Sequence, residues 1–170
     1  KNVIGGLHLQ TNKPQGKLIT VLSGKIFDVC LDCRPKSKTF GKYFSIELSD
    51  SQNISLYIPE GFAHGFCSLT DKTILHYKCT NYRDKNSEVG ILWNDENLKI
   101  KWPNKKHIIS LKDKKNIPFR QFLSEKIKAK WLSSYLSTGP ILVEKIFYAY
   151  NLKQDENWRR TKTRLLRCVV

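Results

Sequence analysis

Apolar and polar positions alternate along the first two thirds of this chain, and the alternation predicts strands. From about residue 17 to residue 80, short runs follow one another between turn residues, at 18–23, 26–34, 43–48, 54–58, 65–69 and 73–80. Gly24 breaks the first run from the second. In the second, Phe27, Val29 and Leu31 share a face with Cys33, while Asp28, Cys30 and Asp32 share the other. Carboxylates alternating with apolar residues suggest that one face of the sheet lines a polar cavity. No helical pattern lies between these strands, so a sandwich or barrel is expected rather than βαβ units, with a jelly roll the natural form. Residues 88–113 read as mostly irregular, anchored by Trp93-Asn94-Asp95 and Trp102-Pro103. After Pro118 the period changes: Phe122, Leu123, Ile127, Trp131, Leu132 and Tyr135 recur at helical spacing. The expected organisation is a β domain over 1–118 and a C-terminal helical appendage over 119–170.

Length and composition sharpen this picture in few places. At 170 residues the chain is long enough to bury a core without disulfides or a structural metal. The most apolar late stretch, 141–152, is too short to span a bilayer and contains Glu144 and Lys145. No signal peptide is visible, which predicts a cytoplasmic protein with no membrane partner. The chain has no Met, so a processed, truncated or fragmentary chain is expected. Its formal net charge of +15 favours an anionic partner. The lysines are scattered through loops, as on an ordinary surface, whereas Arg159, Arg160, Arg164 and Arg167 gather with Lys162 near the end. That tail, with Trp158 to stack on a base, is a candidate nucleic-acid patch. A solvated helix face or disordered end is the preferred reading, and nucleic acid is not an expected partner.

Five cysteines do not form a disulfide framework here. Cys30 and Cys33 lie three apart on an alternating strand and point to opposite faces, so they cannot chelate one ion. Reduced cytosolic thiols are expected. The four histidines, His8, His64, His76 and His107, lack the close pairing with a nearby Glu that a metal-binding barrel shows, and no metal site is expected.

His8 alone, in Gly5-Gly6-Leu7-His8-Leu9-Gln10, would read as a structural histidine. The motifs that follow it change the weighing. In order come Gln15-Gly-Lys-Leu18, Phe27-Asp28-Val29, Thr39-Phe-Gly-Lys42, the run Pro59-Glu-Gly-Phe-Ala-His-Gly-Phe66, Tyr77-Lys78, Ile91-Leu-Trp-Asn-Asp95 and Ser110-Leu-Lys-Asp113. Together they closely resemble the dTDP-4-dehydrorhamnose 3,5-epimerase family over about residues 3–118.

The resemblance implies a cofactor-free, cupin-like jelly roll that forms a homodimer. It acts on a nucleotide-sugar substrate, a dTDP-linked 4-keto-6-deoxyhexose of deoxysugar and rhamnose biosynthesis. The reaction inverts C3 and C5 by proton abstraction beside the C4 ketone. By motif position His8 is the base and Asp113 the carboxylate that supports its imidazolium. Lys17 lies near the developing oxyanion, and Tyr77 is the acid on the other face. His64, Glu88 and Lys112 fall on substrate-binding positions. From the strand alternation itself, Asp28 is expected either to face the cavity and pair with Lys17 or His64, or to be a strand carboxylate satisfied by its neighbours. The chain departs from the family at Gly5, where the resemblance expects a diphosphate-binding Arg that Gly cannot replace. It departs again at Arg83, where an aromatic would stack on the base; the guanidinium can stack there too, and Tyr82 is a possible substitute. The family also implies roughly fifty further residues upstream, which would contribute strands and contacts. A 3-epimerase of a related nucleotide sugar and a non-catalytic sugar-nucleotide-binding relic are the competing readings.

Overall fold

The computed structural model describes residues 1–104 and 106–125. The expected basic tail therefore lies mostly outside the described residues, although 119–125 are helical. The strands are β1 (Val3–Gln10), β2 (Lys17–Ser23), β3 (Lys25–Asp32), β4 (Tyr43–Ser49), β5 (Ser55–Ile58), β6 (Phe62–Ser68), β7 (Ile74–Cys79), β8 (Glu88–Gly90) and β9 (Ile108–Ile109). One sheet runs β4-β3-β6-β1-β8 with β9 beside β1, and the other runs β5-β2-β7. The result is a mainly β jelly roll, as the alternation predicts. Strands β2 to β7 lie within one to three residues of their expected limits.

The alternation of β3 divides the core in two. Val29, Leu31 and Cys33 join Leu7, Leu9, Ala63, Ile91, Leu98, Phe119 and Phe122 on the outer face of the larger sheet. Ile26 and Cys30 join Ile19, Val21, Leu56 and Ile58 of the smaller sheet and fill the space between the sheets. Both sets are buried, so a slip of one residue in β3 would turn Asp28 into one apolar cluster and Val29 out of another. Burying each such aliphatic side chain contributes about 1.5–3 kcal/mol, which fixes the register. Cys30 and Cys33 fall in opposite clusters, as the strand geometry requires.

The β region starts at Val3, with His8 in its first strand, and the span 88–113 is mostly irregular, as expected, apart from the short β8 and β9. Both strands are too short to carry a periodic signal, and they are held by β1 rather than by their own sequence. One expectation needs correction, because Asp32 does not line the cavity expected of its face of β3. At the end of β3 it accepts hydrogen bonds from Arg34 Nη2 (2.7 Å), Ser37 Oγ (2.6 Å) and Thr39 Oγ1 (2.6 Å). Burial opposes its ionisation, but these donors prevail and hold the carboxyl below its usual range. The Thr39-Phe-Gly-Lys42 motif is therefore a structural clamp on β3.

Candidate active site

A β-bulge in β1 makes the site. Ile4 and Gly5 pair with Cys67 and Phe66 of β6, and His8 pairs with His64, with a register shift between Gly5 and His8. Gly5 and His8 would face opposite ways on a regular strand; the extra residue brings both to the same cleft. Leu7 turns instead into the outer core, where it is fully buried. Gly6 makes the bulge possible. Its φ is +111°, and a Cβ there would lie 2.6 Å from both Gly65 Cα and His64 O.

The cleft, of about 480 Å³, opens between the two sheets. The larger sheet contributes His8, Gln10, His64 and Phe66, and the smaller one Lys17, Tyr77 and Cys79; Arg83, Glu88 and Lys112 also line it. Each of the two neighbouring histidines is backed by a carboxylate. His8 Nε2 lies 2.7 Å from Asp113 Oδ1, and His64 Nε2 lies 2.8 Å from Asp28 Oδ2. Asp113 is positioned by Ser110, whose Oγ accepts its backbone N–H at 3.0 Å. Asp28 does not reach the cleft as expected. It is wholly buried behind His64, because alternation gives the face of a strand residue but not its depth.

Burial lowers the pKa of His8 below 6.5 against the opposing pull of Asp113, which leaves a neutral imidazole at neutral pH. Burial also lowers the ammonium of Lys17, whose Nζ lies 3.4 Å from His8 O. The Tyr77 ring sits edge-on to His64, centroids 5.8 Å apart. Burial, reinforced by the charge of Asp28, pushes the Tyr77 phenol well up and keeps it protonated. Burial works against ionisation of Glu88, yet Arg83 and Lys112 outweigh it and bring the carboxyl down to about 2. Arg83 Nε donates to Glu88 at 2.8 Å, and Lys112 Nζ donates to its other oxygen.

The structure thus gathers His8, Lys17, His64, Tyr77, Arg83, Glu88 and Lys112 around one cleft, with Asp113 and Asp28 one step behind it. Tyr82 is 97% exposed and does not line it. Sequence reasoning missed the roles of Gln10 and Phe66. Gln10 is buried, donates to the carbonyls of Lys13 and Tyr82, and accepts from Asp84 N–H, tying β1 to the loop of Arg83. Phe66 faces Gly5, and its ring would meet a Cβ there at 3.1 Å. Only the bulged register reveals that pair. Among the described residues, no three His, Cys, Asp or Glu side chains group to hold a metal, and no helix is long and apolar enough to cross a membrane.

A family model described as dTDP-4-dehydrorhamnose 3,5-epimerase matches residues 1–121. A protein of that name from Methanothermobacter thermautotrophicus is 44% identical over 124 residues, covering 71% of this chain and 67% of its own length. One from Shigella flexneri is 46% identical over 114 residues, covering 66% and 63% respectively. The chain thus spans about two thirds of the length of these relatives. A crystal structure of dTDP-6-deoxy-D-glucose-3,5-epimerase from Legionella pneumophila, in complex with dTDP-4-keto-L-rhamnose, is 40% identical. It superposes with a TM-score of 0.71 over 74% of this chain and 67% of that one. On the family match and these relatives, the chain belongs to the dTDP-4-dehydrorhamnose 3,5-epimerase family, a family of isomerases.

Proposed function

We propose that this chain inverts C3 and C5 of a dTDP-linked 4-keto-6-deoxyhexose, in the formation of dTDP-L-rhamnose or a related deoxysugar. One observation carries the reading: a histidine from the larger sheet, backed by Asp113, and a tyrosine from the smaller sheet line the same cleft. Inversion needs a base and an acid on two faces of the carbon, and two facing sheets supply them.

Asp113 accepts from His8 Nε2–H, which leaves Nδ1 as the basic nitrogen. His8 takes the proton beside the C4 ketone, and the electron pair moves onto the ketone oxygen as an enolate. Lys17 stabilises that oxyanion. Tyr77 O–H returns a proton to the opposite face, and exchange with water resets the imidazolium and the phenolate. The carbonyl already in the substrate supplies the acidity, so the chemistry calls for no cofactor. Gly5 offers the diphosphate no side chain; Lys17, Arg83 and Lys112 are the cations that the cleft presents instead. His64 and Glu88 complete the substrate contacts, and Asp28 holds His64.

The reading includes a homodimer. Among the described residues β7 is the outer strand of its sheet, with Ile74 55% exposed and Leu22 of β2 58% exposed nearby. It also includes the cytoplasm, in keeping with the buried thiols of Cys30 and Cys67, which form no disulfide.

Incubation with dTDP-4-keto-6-deoxyglucose in D₂O, followed by NMR, tests the activity. Deuterium at both C3 and C5 is expected. Deuterium at C3 alone would replace this reading with a 3-epimerase, and none in a folded protein would leave a binding relic. His8→Ala is expected to abolish exchange, and Tyr77→Phe to permit exchange while impairing inversion. Wild-type exchange in His8→Ala would overturn the mechanism.

A further inference from the structure

Asn116 lies outside the cleft, at the C-terminal end of the 3-10 turn Asp113–Lys115, and the epimerase reading gives it no task. Its surroundings do. Its backbone N–H returns to Asp113 O at 3.3 Å, and its side-chain Nδ2 lies 3.4 Å from Asp113 Oδ1, the oxygen that His8 also meets. The same nitrogen lies 3.4 Å from Gly6 O in the bulge and 3.5 Å from Ile91 O, just beyond β8. Gly90 of β8 is the register partner of His8, and a Cβ on Gly90 would overlap the Asn116 amide. The next residue, Ile117, donates its N–H to Gly90 O at 3.0 Å. One amide group thus touches the bulge beside His8, the residue after His8's strand neighbour, and the carboxylate that His8 depends on.

We propose that Asn116 is a positioning residue of the His8–Asp113 pair. Its amide shares its N–H groups among Asp113 Oδ1 and the two carbonyls, so it fixes the carboxylate's orientation relative to the bulge. Ser110 holds Asp113 only at the backbone, and Gly6 N–H reaches the other carboxylate oxygen at 3.4 Å. Without the amide, Oδ1 would lose a donor that competes with the imidazole for its charge. Gly90 is glycine because that amide occupies the place of a side chain.

Two variants of the full chain separate this role from space filling. Asn116→Leu keeps roughly the volume but has no donor, whereas Asn116→Ala leaves room for a water that can donate in its place. Two readouts apply: the NMR titration of the His8 imidazole without substrate, and kcat with KM for exchange. In Asn116→Leu the freed charge on Asp113 is expected to raise the His8 titration by about half a pH unit. There kcat is expected to fall about tenfold, with KM within about twofold of wild type. Asn116→Ala is expected to shift both in the same direction but less. The opposite order, with Leu unchanged and Ala impaired, would reduce Asn116 to a filler and overturn the proposal, as would no change in either. Should Asn116→Leu fail to fold, Asn116→Ala decides alone, and an unmoved His8 there overturns it. The kinetic arm rests on the epimerase reading; the titration does not, so absent exchange in the wild type would sink that reading and leave this one testable.

Discussion

At the scale of the residue, His8 stands between burial, which lowers its pKa, and Asp113, 2.7 Å away, which raises it. Burial prevails, so kcat/KM is expected to rise with pH along an acid limb whose midpoint lies below 6.5. Asp113→Asn removes the opposing pull, so the limb should move to still lower pH even as the rate drops with the wrong tautomer. A pH profile of deuterium exchange measures both, and a limb that moves upward would contradict the assignment. The sign for folding is the same: with the folded pKa below the unfolded one, the contribution of His8 to stability is fully present above 6.5. It is lost as the pH falls through the folded value. Sequence alone made His8 and Asp113 legible as partners because both sit in ordered motifs. It offered His64 as one of two partners for Asp28, and the structure makes that pair, but it did not give the depth of Asp28 or find Asn116, whose role depends on a turn and a strand edge that no spacing records.

At the scale of the element, β1 is where sequence and structure diverge most. A strand that reads Val-Ile-Gly-Gly-Leu-His-Leu-Gln has no clean period of two, since the bulge between Gly5 and His8 inserts a residue and flips the phase. Strands β2 to β7 lack that break or tolerate it, as β2 does near its end, and their alternation stayed readable. Gly6 makes the interruption possible, and Gly6→Ala tests the element. A Cβ 2.6 Å from the backbone of Gly65 and His64, at φ +111°, forces the strands apart. The expected cost is roughly 1–3 kcal/mol in urea denaturation. Exchange should fall by more than the loss of folded protein explains, because His8 and His64 would no longer stand opposite each other. A Gly6→Ala protein with wild-type stability and rate would show that the bulge does not set the site.

At the scale of the molecule, two cores serve one cleft. The inner core joins the two sheets and reaches the cleft through Phe66, and the outer core backs the larger sheet behind His8. Leu7 and Leu9 flank His8 and point into the outer core, where Phe119 and Phe122 meet them from beyond Pro118. The helical spacing after Pro118 was legible in the sequence, but not that its first turn packs on the sheet, since a periodic face does not say what it packs against. The two phenylalanine rings stack with centroids 6.1 Å apart, and Phe122 is only 2% exposed. Phe122→Ala is therefore expected to cost about 3–5 kcal/mol by urea denaturation, the range for truncating a buried aromatic ring. Because that core braces both neighbours of His8, the variant should also exchange deuterium more slowly under conditions where it is still fully folded. Leu75, in the smaller sheet, supplies the contrast: it is only half-buried against the inner core, so Leu75→Ala should cost less and leave the acid limb of the pH profile in place. If Phe122→Ala lowered stability yet left the folded protein's exchange rate untouched, the outer core would be scaffold alone and His8 would be held by its hydrogen bonds.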